Sequence, residues 1–185
     1  MSLLCNAQTS QLIVIDIQER LASAMPGKVL AAMMHNTETL LKAANLLSVA
    51  VIRSEQYPEG LGKSKAAISQ HFNNETALIE KTCFACTGSN DFTHQLSKKR
   101  RPQIILTGIE SHICVLQTAL ELHEQGFQVF VVEDAVCSRD KKNHKNAIKR
   151  LRAAGVTISN TESVIFEWLG DAQHEHFKTI SKLIK

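Results

Sequence analysis

Short apolar runs alternate with amphipathic stretches along the chain, and the period of each stretch decides its element. Residues 11–16, Q-L-I-V-I-D, are a continuous apolar run closed by an acid, the pattern of a strand covered on both faces in a parallel sheet. After Pro26-Gly27, apolar residues recur at Leu30, Met33, Met34, Leu40, Leu41, Ala44 and Leu47, which is one face of a long helix. The run at 49–52 closes a first strand, helix, strand unit. The same alternation predicts a short strand at 77–79, a helix at 91–99 and a strand at 103–107. A helix from about 111 to 124, a strand at 128–133, a helix at 142–153 and a strand at 156–159 follow. Two helical stretches, 163–169 and 172–184, end the chain. Residues 53 to about 70 read as the one long irregular loop, and loops of that length in compact domains are often functional.

Strands alternating with helices predict an α/β fold: a doubly wound, three-layer αβα domain with a mostly parallel sheet of about six strands. Right-handed crossovers put helices on both faces. No internal repeat or linker rich in Pro, Gly or Ser marks a boundary, so residues 1–185 read as a single domain, and 44% hydrophobic content is enough for one core. The net charge of +3 is too small and too evenly spread to demand a nucleic acid or an anionic membrane as partner. No apolar run approaches the ~20 residues of a membrane span. The first residues lack the charged start and apolar core of a signal peptide, so the expected location is cytoplasmic. Five cysteines, an odd number without disulfide-scaffold spacing, read as reduced thiols.

In open parallel sheets ligands bind at the carboxyl ends of the strands, so the residues leaving each strand carry the candidate chemistry. The first strand ends in Asp16, the third is followed by Lys81, and the fourth leads through Gly108 to Cys114 at a helix beginning. Free amides and the positive dipole end there are expected to lower the thiol's pKa. Asp16, made more basic by burial, is the candidate proton acceptor. Lys81 is the candidate cation that holds the pair, and backbone amides of the turn are candidate oxyanion donors. Each residue also has an ordinary use: the acid as a cap, the lysine on the surface, the cysteine as a small core hydrophobe. Spacing alone does not choose between them.

Three motifs in order do choose. The stretches L-I-V-I-D-I-Q at 12–18, E-K-T-C-F at 80–84 and L-T-G-I-E-S-H-I-C-V at 106–115 resemble the isochorismatase-like, or cysteine hydrolase, superfamily over nearly the whole chain. Within it the chain is most similar to the isochorismatase domain-containing proteins of unknown substrate, through S-E-Q-Y-P-E-G-L-G at 54–62, L-Q-T-A-L-E-L at 116–122 and E-D-A-V-C-S-R at 133–139. The resemblance implies an Asp16-Lys81-Cys114 triad and a non-proline cis peptide at Ile109-Glu110. It also implies an oxyanion hole from the amides of Glu110 and Cys114, and hydrolysis of a small carbonyl substrate, an amide, through a Cys114 thioester. Isochorismatases proper lack this cysteine, so vinyl-ether cleavage is not expected. The histidines of metal-dependent nicotinamidases are missing from 53–62, so no metal and no cofactor are expected. The same scaffold without catalysis, serving as a regulatory interaction module, is the alternative. The resemblance further implies a homo-oligomer.

Loops after the first two strands line the cleft in this architecture, which makes Gln18, Glu55, Gln56 and Tyr57 candidate substrate contacts, with Cys83 near the same pocket. Cys83-x-x-Cys86 lacks the two further ligands of a zinc site. His112 reads as a packing or capping residue, and His174 and His176 as surface residues. The basic runs 98–101 and 141–152 form a nucleic-acid patch only if they share a face; otherwise they are solvated helix surface.

Overall fold

In a computed structural model, which describes residues 3–184, strand β1 (Ser10–Ile15) is followed by a one-turn helix α1 (Glu19–Ser23) and the long α2 (Gly27–Leu46). Next come β2 (Ala50–Gln56), two single-turn helices α3 (Pro58–Leu61) and α4 (Ala66–Ser69), and β3 (Ala77–Lys81). A 3-10 turn (Cys86–Gly88) leads into α5 (Asn90–Lys99) and β4 (Gln103–Ile109). A π-helical turn (Ser111–Val115) opens α6 (Leu116–Glu124), and β5 (Gln128–Cys137), α7 (Lys141–Ala153), β6 (Thr157–Ser159), α8 (Thr161–Leu169) and α9 (Phe177–Ile180) complete the chain.

The six strands form one wholly parallel sheet in the order β3-β2-β1-β4-β5-β6. Alternate side chains of each strand feed two separate cores. On one face Leu12, Val14, Ile105 and Phe130 meet Met33, Leu40 and Leu41 of α2 and Val164 and Trp168 of α8. On the other face Ile13, Ile15, Ile104 and Leu106 meet Phe92 of α5, Leu116 and Leu122 of α6, and Ile148 and Leu151 of α7. These are the three αβα layers expected.

The strand order reverses between β1 and β4, with one crossover leaving to each side, and in open parallel sheets ligands bind beyond the carboxyl ends of the strands at such a point. The two strands approach closely there. Gly108 pairs with Ile15, has φ +119°, and has no room for a side chain: a Cβ would lie 2.0 Å from the Ile15 carbonyl oxygen. β4 therefore reaches Ile109, and the register against β5 shifts between Leu106 and Gly108.

Four expectations are corrected. β2 continues to Gln56 and the rest of the supposed loop at 53–70 contains two helical turns. β5 runs on past Glu133 and Asp134, because those acids sit at the register shift and the chain re-enters the core at Ala135. The helix expected from 111 begins as a π turn. The helix expected at 172–184 is reduced to Phe177–Ile180: the Asp171 carboxylate accepts the Gln173 amide at 2.7 Å and stabilises a turn in place of helix.

Gly108→Ala is expected to cost at least about 2 kcal/mol, since both the backbone contact and the positive φ oppose a side chain. The midpoint of urea unfolding measures it; a midpoint equal to that of the parent protein would show that β1 and β4 can separate freely.

Candidate active site

β1 delivers Asp16 to the carboxyl edge and then turns sharply. Asp16 takes φ +51°, and its carbonyl accepts the Gln18 amide at 2.8 Å. Aspartate tolerates this left-handed conformation better than most residues. Its carboxylate is fully buried. Lys81 Nζ donates to Oδ2 at 2.8 Å and the Ser54 hydroxyl to Oδ1 at 2.7 Å, and the Cys114 thiol is near enough to feel its charge.

Lys81, at the end of β3, has a side chain with no exposure. Its ammonium also donates to Gln56 Oε1 at 2.7 Å and to the carbonyls of Cys83 and Phe84, each at 3.2 Å. Burial works against its charge, but the Asp16 carboxylate, joined by the Cys86 and Cys114 sulfurs, outweighs burial and holds its pKa above the ordinary lysine value.

Cys114 sits on the π turn, 6% exposed. The Glu110 carbonyl takes the amides of Ile113 at 3.1 Å and Val115 at 3.3 Å, which widens the turn around Cys114. The Ile109-Glu110 peptide is cis. The expected lowering of the thiol's pKa is overturned: burial pushes it up, and the Asp16 charge pushes the same way against the opposing pull of Lys81. A helix start acts weakly on a thiol removed from water and set near a carboxylate.

Of the residues read as substrate contacts, Tyr57 and Cys83 line a cleft of about 470 Å³ beside Lys81, together with Glu59, Thr82, Gly88 and Ser89. Gln18, Glu55 and Gln56 do not reach it. Gln18 Nε2 donates to the carbonyls of Gln56 at 3.0 Å and Gly62 at 2.5 Å, while its Oε1 accepts the Gln56 amide at 2.7 Å. Gln56 Nε2 donates to the Thr82 carbonyl at 2.6 Å, and Glu55 Oε1 accepts both the amide and the hydroxyl of Ser64 at 2.7 Å. These buried side chains are consumed in fixing β2 to the segment that follows it.

Sequence reasoning missed Ser54, the partner of Asp16, and Cys86, whose thiol lies 3.6 Å from the Ser54 hydroxyl. A small polar residue on an otherwise apolar strand was the only available signal. It also missed the frame around the π turn. There Glu110 accepts the Arg139 amide at 2.9 Å, His112 Nδ1 lies 2.9 Å from the Ser138 hydroxyl, and His144 Nδ1 lies 2.9 Å from the Ser111 hydroxyl. All five cysteines are unpaired, and among the described residues no three His, Cys, Asp or Glu side chains gather as a metal site. The two basic runs lie on different helices, 98–101 at the end of α5 and 141–152 along α7.

Known proteins resemble this chain in sequence and fold. A secreted isochorismatase effector, Isc1, of Phytophthora sojae is 37% identical over 96% of this chain and 85% of its own. Isochorismatase domain-containing protein 2 of Bos taurus is 37% identical over 96% and 83%. Among solved structures, the MAR1 ribonuclease of Caenorhabditis elegans superposes with a TM-score of 0.91 at 35% identity, covering 98% of this chain and 92% of that one. The YcaC gene product of Escherichia coli, an octameric hydrolase of unknown specificity, has the same fold, with a TM-score of 0.91 at 20% identity over 100% of this chain and 90% of its own. The family model for the isochorismatase domain matches residues 10–163, and with these likenesses the chain belongs to the isochorismatase family.

Proposed function

We propose that this protein is a cysteine hydrolase that cleaves the C–N bond of a small amide. Family membership supports a hydrolase, and one observation carries the finer reading: the buried Cys114 thiol is set near a buried Asp16 carboxylate whose charge helps raise its pKa and which is paired with Lys81 at 2.8 Å. A thiol, a proton acceptor and a fixed cation then act on one carbonyl carbon.

The raised pKa of Cys114 sets the order of events. The thiol is protonated at rest, so its proton passes to Asp16 as sulfur attacks the carbonyl. The oxyanion formed is received by the backbone amides of Glu110 and Cys114. Collapse breaks the C–N bond, Asp16 returns the proton to the departing amine, and a thioester remains on Cys114. Water, deprotonated by Asp16, releases the carboxylic acid and restores the thiol. Lys81 keeps Asp16 ionised and oriented throughout. Tyr57 and Cys83 form the substrate wall, with Gln18, Glu55 and Gln56 holding the segment behind it.

The name of the Caenorhabditis elegans relative raises phosphodiester cleavage as a second reading. The cleft beside Lys81 is a poor seat for phosphate. Glu59 and Glu80 line it, and its one cation is matched by Asp16. We further propose that the chain acts as one domain, within a homo-oligomer like the octameric bacterial neighbour. Its unpaired thiols suit the cytoplasm, although the Phytophthora relative is named as secreted.

A panel of small amides, ureas and carbamoyl compounds, followed by ammonia release, tests the reaction, with RNA as a parallel substrate. Cys114→Ala is expected to lower hydrolysis by at least about 10³-fold. Ammonia release that survives the substitution, or RNA cleavage without amide hydrolysis, would sink the proposal.

Asp16→Asn is expected to separate two properties. Hydrolysis disappears for want of a proton acceptor, while iodoacetamide labels Cys114 faster at pH 8, because burial still raises the thiol's pKa but the carboxylate charge that added to it is gone. Mass mapping in a Cys83→Ser background reads the rate, and slower labelling would refute the assigned cause.

Lys81→Met leaves a buried carboxylate unmatched and is expected to destabilise the fold by roughly 3–5 kcal/mol. The Asp16→Asn/Lys81→Met pair costs less than the sum of the two single changes. Urea unfolding at pH 7 measures all three, and simple additivity would mean that the pair is not coupled. The charged state of Lys81 is raised in the folded protein, so its contribution is complete below the ordinary lysine pKa and is lost only as alkaline pH passes through the raised one.

A further inference from the structure

A second cleft, of about 450 Å³, opens at the carboxyl end of β5, between α2 and the start of α7. Its volume is within the range of small-molecule sites, roughly 300–1,000 Å³. It lies across β1 and β4 from Lys81 and shares no lining residue with the cleft there. The walls are apolar: Val29, Ala32 and Met33 from α2 face Val136 from β5. Val29 is 47% exposed, a large apolar side chain left facing open space.

The charges at its rim are unequal in their commitments. Glu133 is paired with Arg152 at 3.1 Å. Asp134 directs Oδ1 to the start of α8, where it accepts both the amide and the hydroxyl of Thr161 at 2.9 Å. Asn36 donates to the Asp134 carbonyl at 2.8 Å. By contrast, the ammonium groups of Lys28 and Lys141 have no ion-pair partner among the described residues. His144, also in the lining, has its pKa lowered by burial, so it offers a neutral ring rather than a third charge. The cleft thus has apolar walls, acids turned to other partners and two unmatched cations at the mouth.

From that combination we infer that this cleft binds a small amphiphile with an apolar chain and an anionic head, a medium-chain carboxylate in its simplest form. The chain lies between α2 and Val136, and the head meets Lys28 and Lys141. A ligand seated there also rests against Ser138 and His144, which hold His112 and Ser111 on the turn that carries Cys114. Binding is therefore expected to move the amide signals of residues 111–115 as well as those of the lining.

Titration of the full chain with hexanoate, octanoate, octylammonium and octanol below their aggregation limits, followed by amide chemical shifts, tests the inference without recourse to catalysis. Octanoate is expected to bind saturably and at least tenfold more tightly than octylammonium, with affinity gaining about three- to fourfold per added methylene. Lys28→Glu/Lys141→Glu reverses the preference for the head group, and Ala32→Trp, at an exposed wall position, removes binding while the thermal melt stays intact. Absence of saturable shifts, equal or tighter binding of octylammonium, or an octanoate titration indifferent to Ala32→Trp would each overturn it. So would a fall in solution mass on Ala32→Trp or Val29→Glu, which would show that a second copy of the chain covers the groove.

Discussion

The ion pair between Asp16 and Lys81 is the constraint around which the carboxyl edge is arranged. Both side chains are withdrawn from water, and removing two charges from water costs several kcal/mol for each before their attraction returns anything. Such a pair persists only if its remaining hydrogen-bonding capacity is met. Here it is met by Ser54 from β2, Gln56 from the end of β2, and the carbonyls of Cys83 and Phe84 after β3. Gln56 is in turn fixed by Gln18 after β1. One ion pair thereby aligns the ends of three strands and the turn over them.

The same pair governs the thiol. A helix start and a nearby lysine favour thiolate, whereas burial and a carboxylate disfavour it, and here the second couple prevails. Lys81 spends its charge mainly on Asp16, at 2.8 Å, so little of it is available to Cys114. A resting thiol of this kind is guarded against stray oxidants and alkylating agents. On the proposed mechanism it gains nucleophilicity only when a carbonyl is placed to receive it and the proton can move to Asp16 in the same step.

Most of the scaffold was legible in the sequence because a parallel sheet buries both faces of its strands, and unbroken apolar runs such as residues 11–16 have few other uses. Elements failed where local chemistry interrupts that signal. Glu133 and Asp134 made β5 seem to end at a register shift, and Asp171 and the residues after it form turns where apolar spacing suggested helix. The positions of Asp16 and Lys81 were legible as strand ends and that of Cys114 as the start of a helix, and all three as motif positions of a family. Their partners were not, since Ser54 or Gln18 acquires its meaning from a contact made across 38 residues. The direction of the Cys114 pKa was misjudged for the same reason: a position on a helix can be read from sequence, but burial and the distance to a carboxylate cannot.

On the proposed reading, this division locates the freedom to change substrate. Asp16, Lys81, Ser54, Gln56 and Gln18 are each bound to at least one other member of the set, so a change at any one leaves a buried polar group unmatched, at a cost of about 1–3 kcal/mol or more where the group is charged. The side chains of Tyr57, Glu59, Cys83 and Ser89, on the rim of the cleft, carry no such obligation to the ion pair, which Cys83 meets only through its main-chain carbonyl. Tyr57 has one local restraint, its ring lying against Gly60 so closely that a Cβ there would be 2.2 Å from it. Chemistry and specificity are thus held by different atoms. On the proposed reading, the chemistry is anchored to the ends of β1, β2 and β3, while substrate identity is set by the side chains of Tyr57, Glu59 and Cys83. These can be exchanged without disturbing the pair beneath them, because segment 82–89 holds Lys81 through the main-chain carbonyls of Cys83 and Phe84.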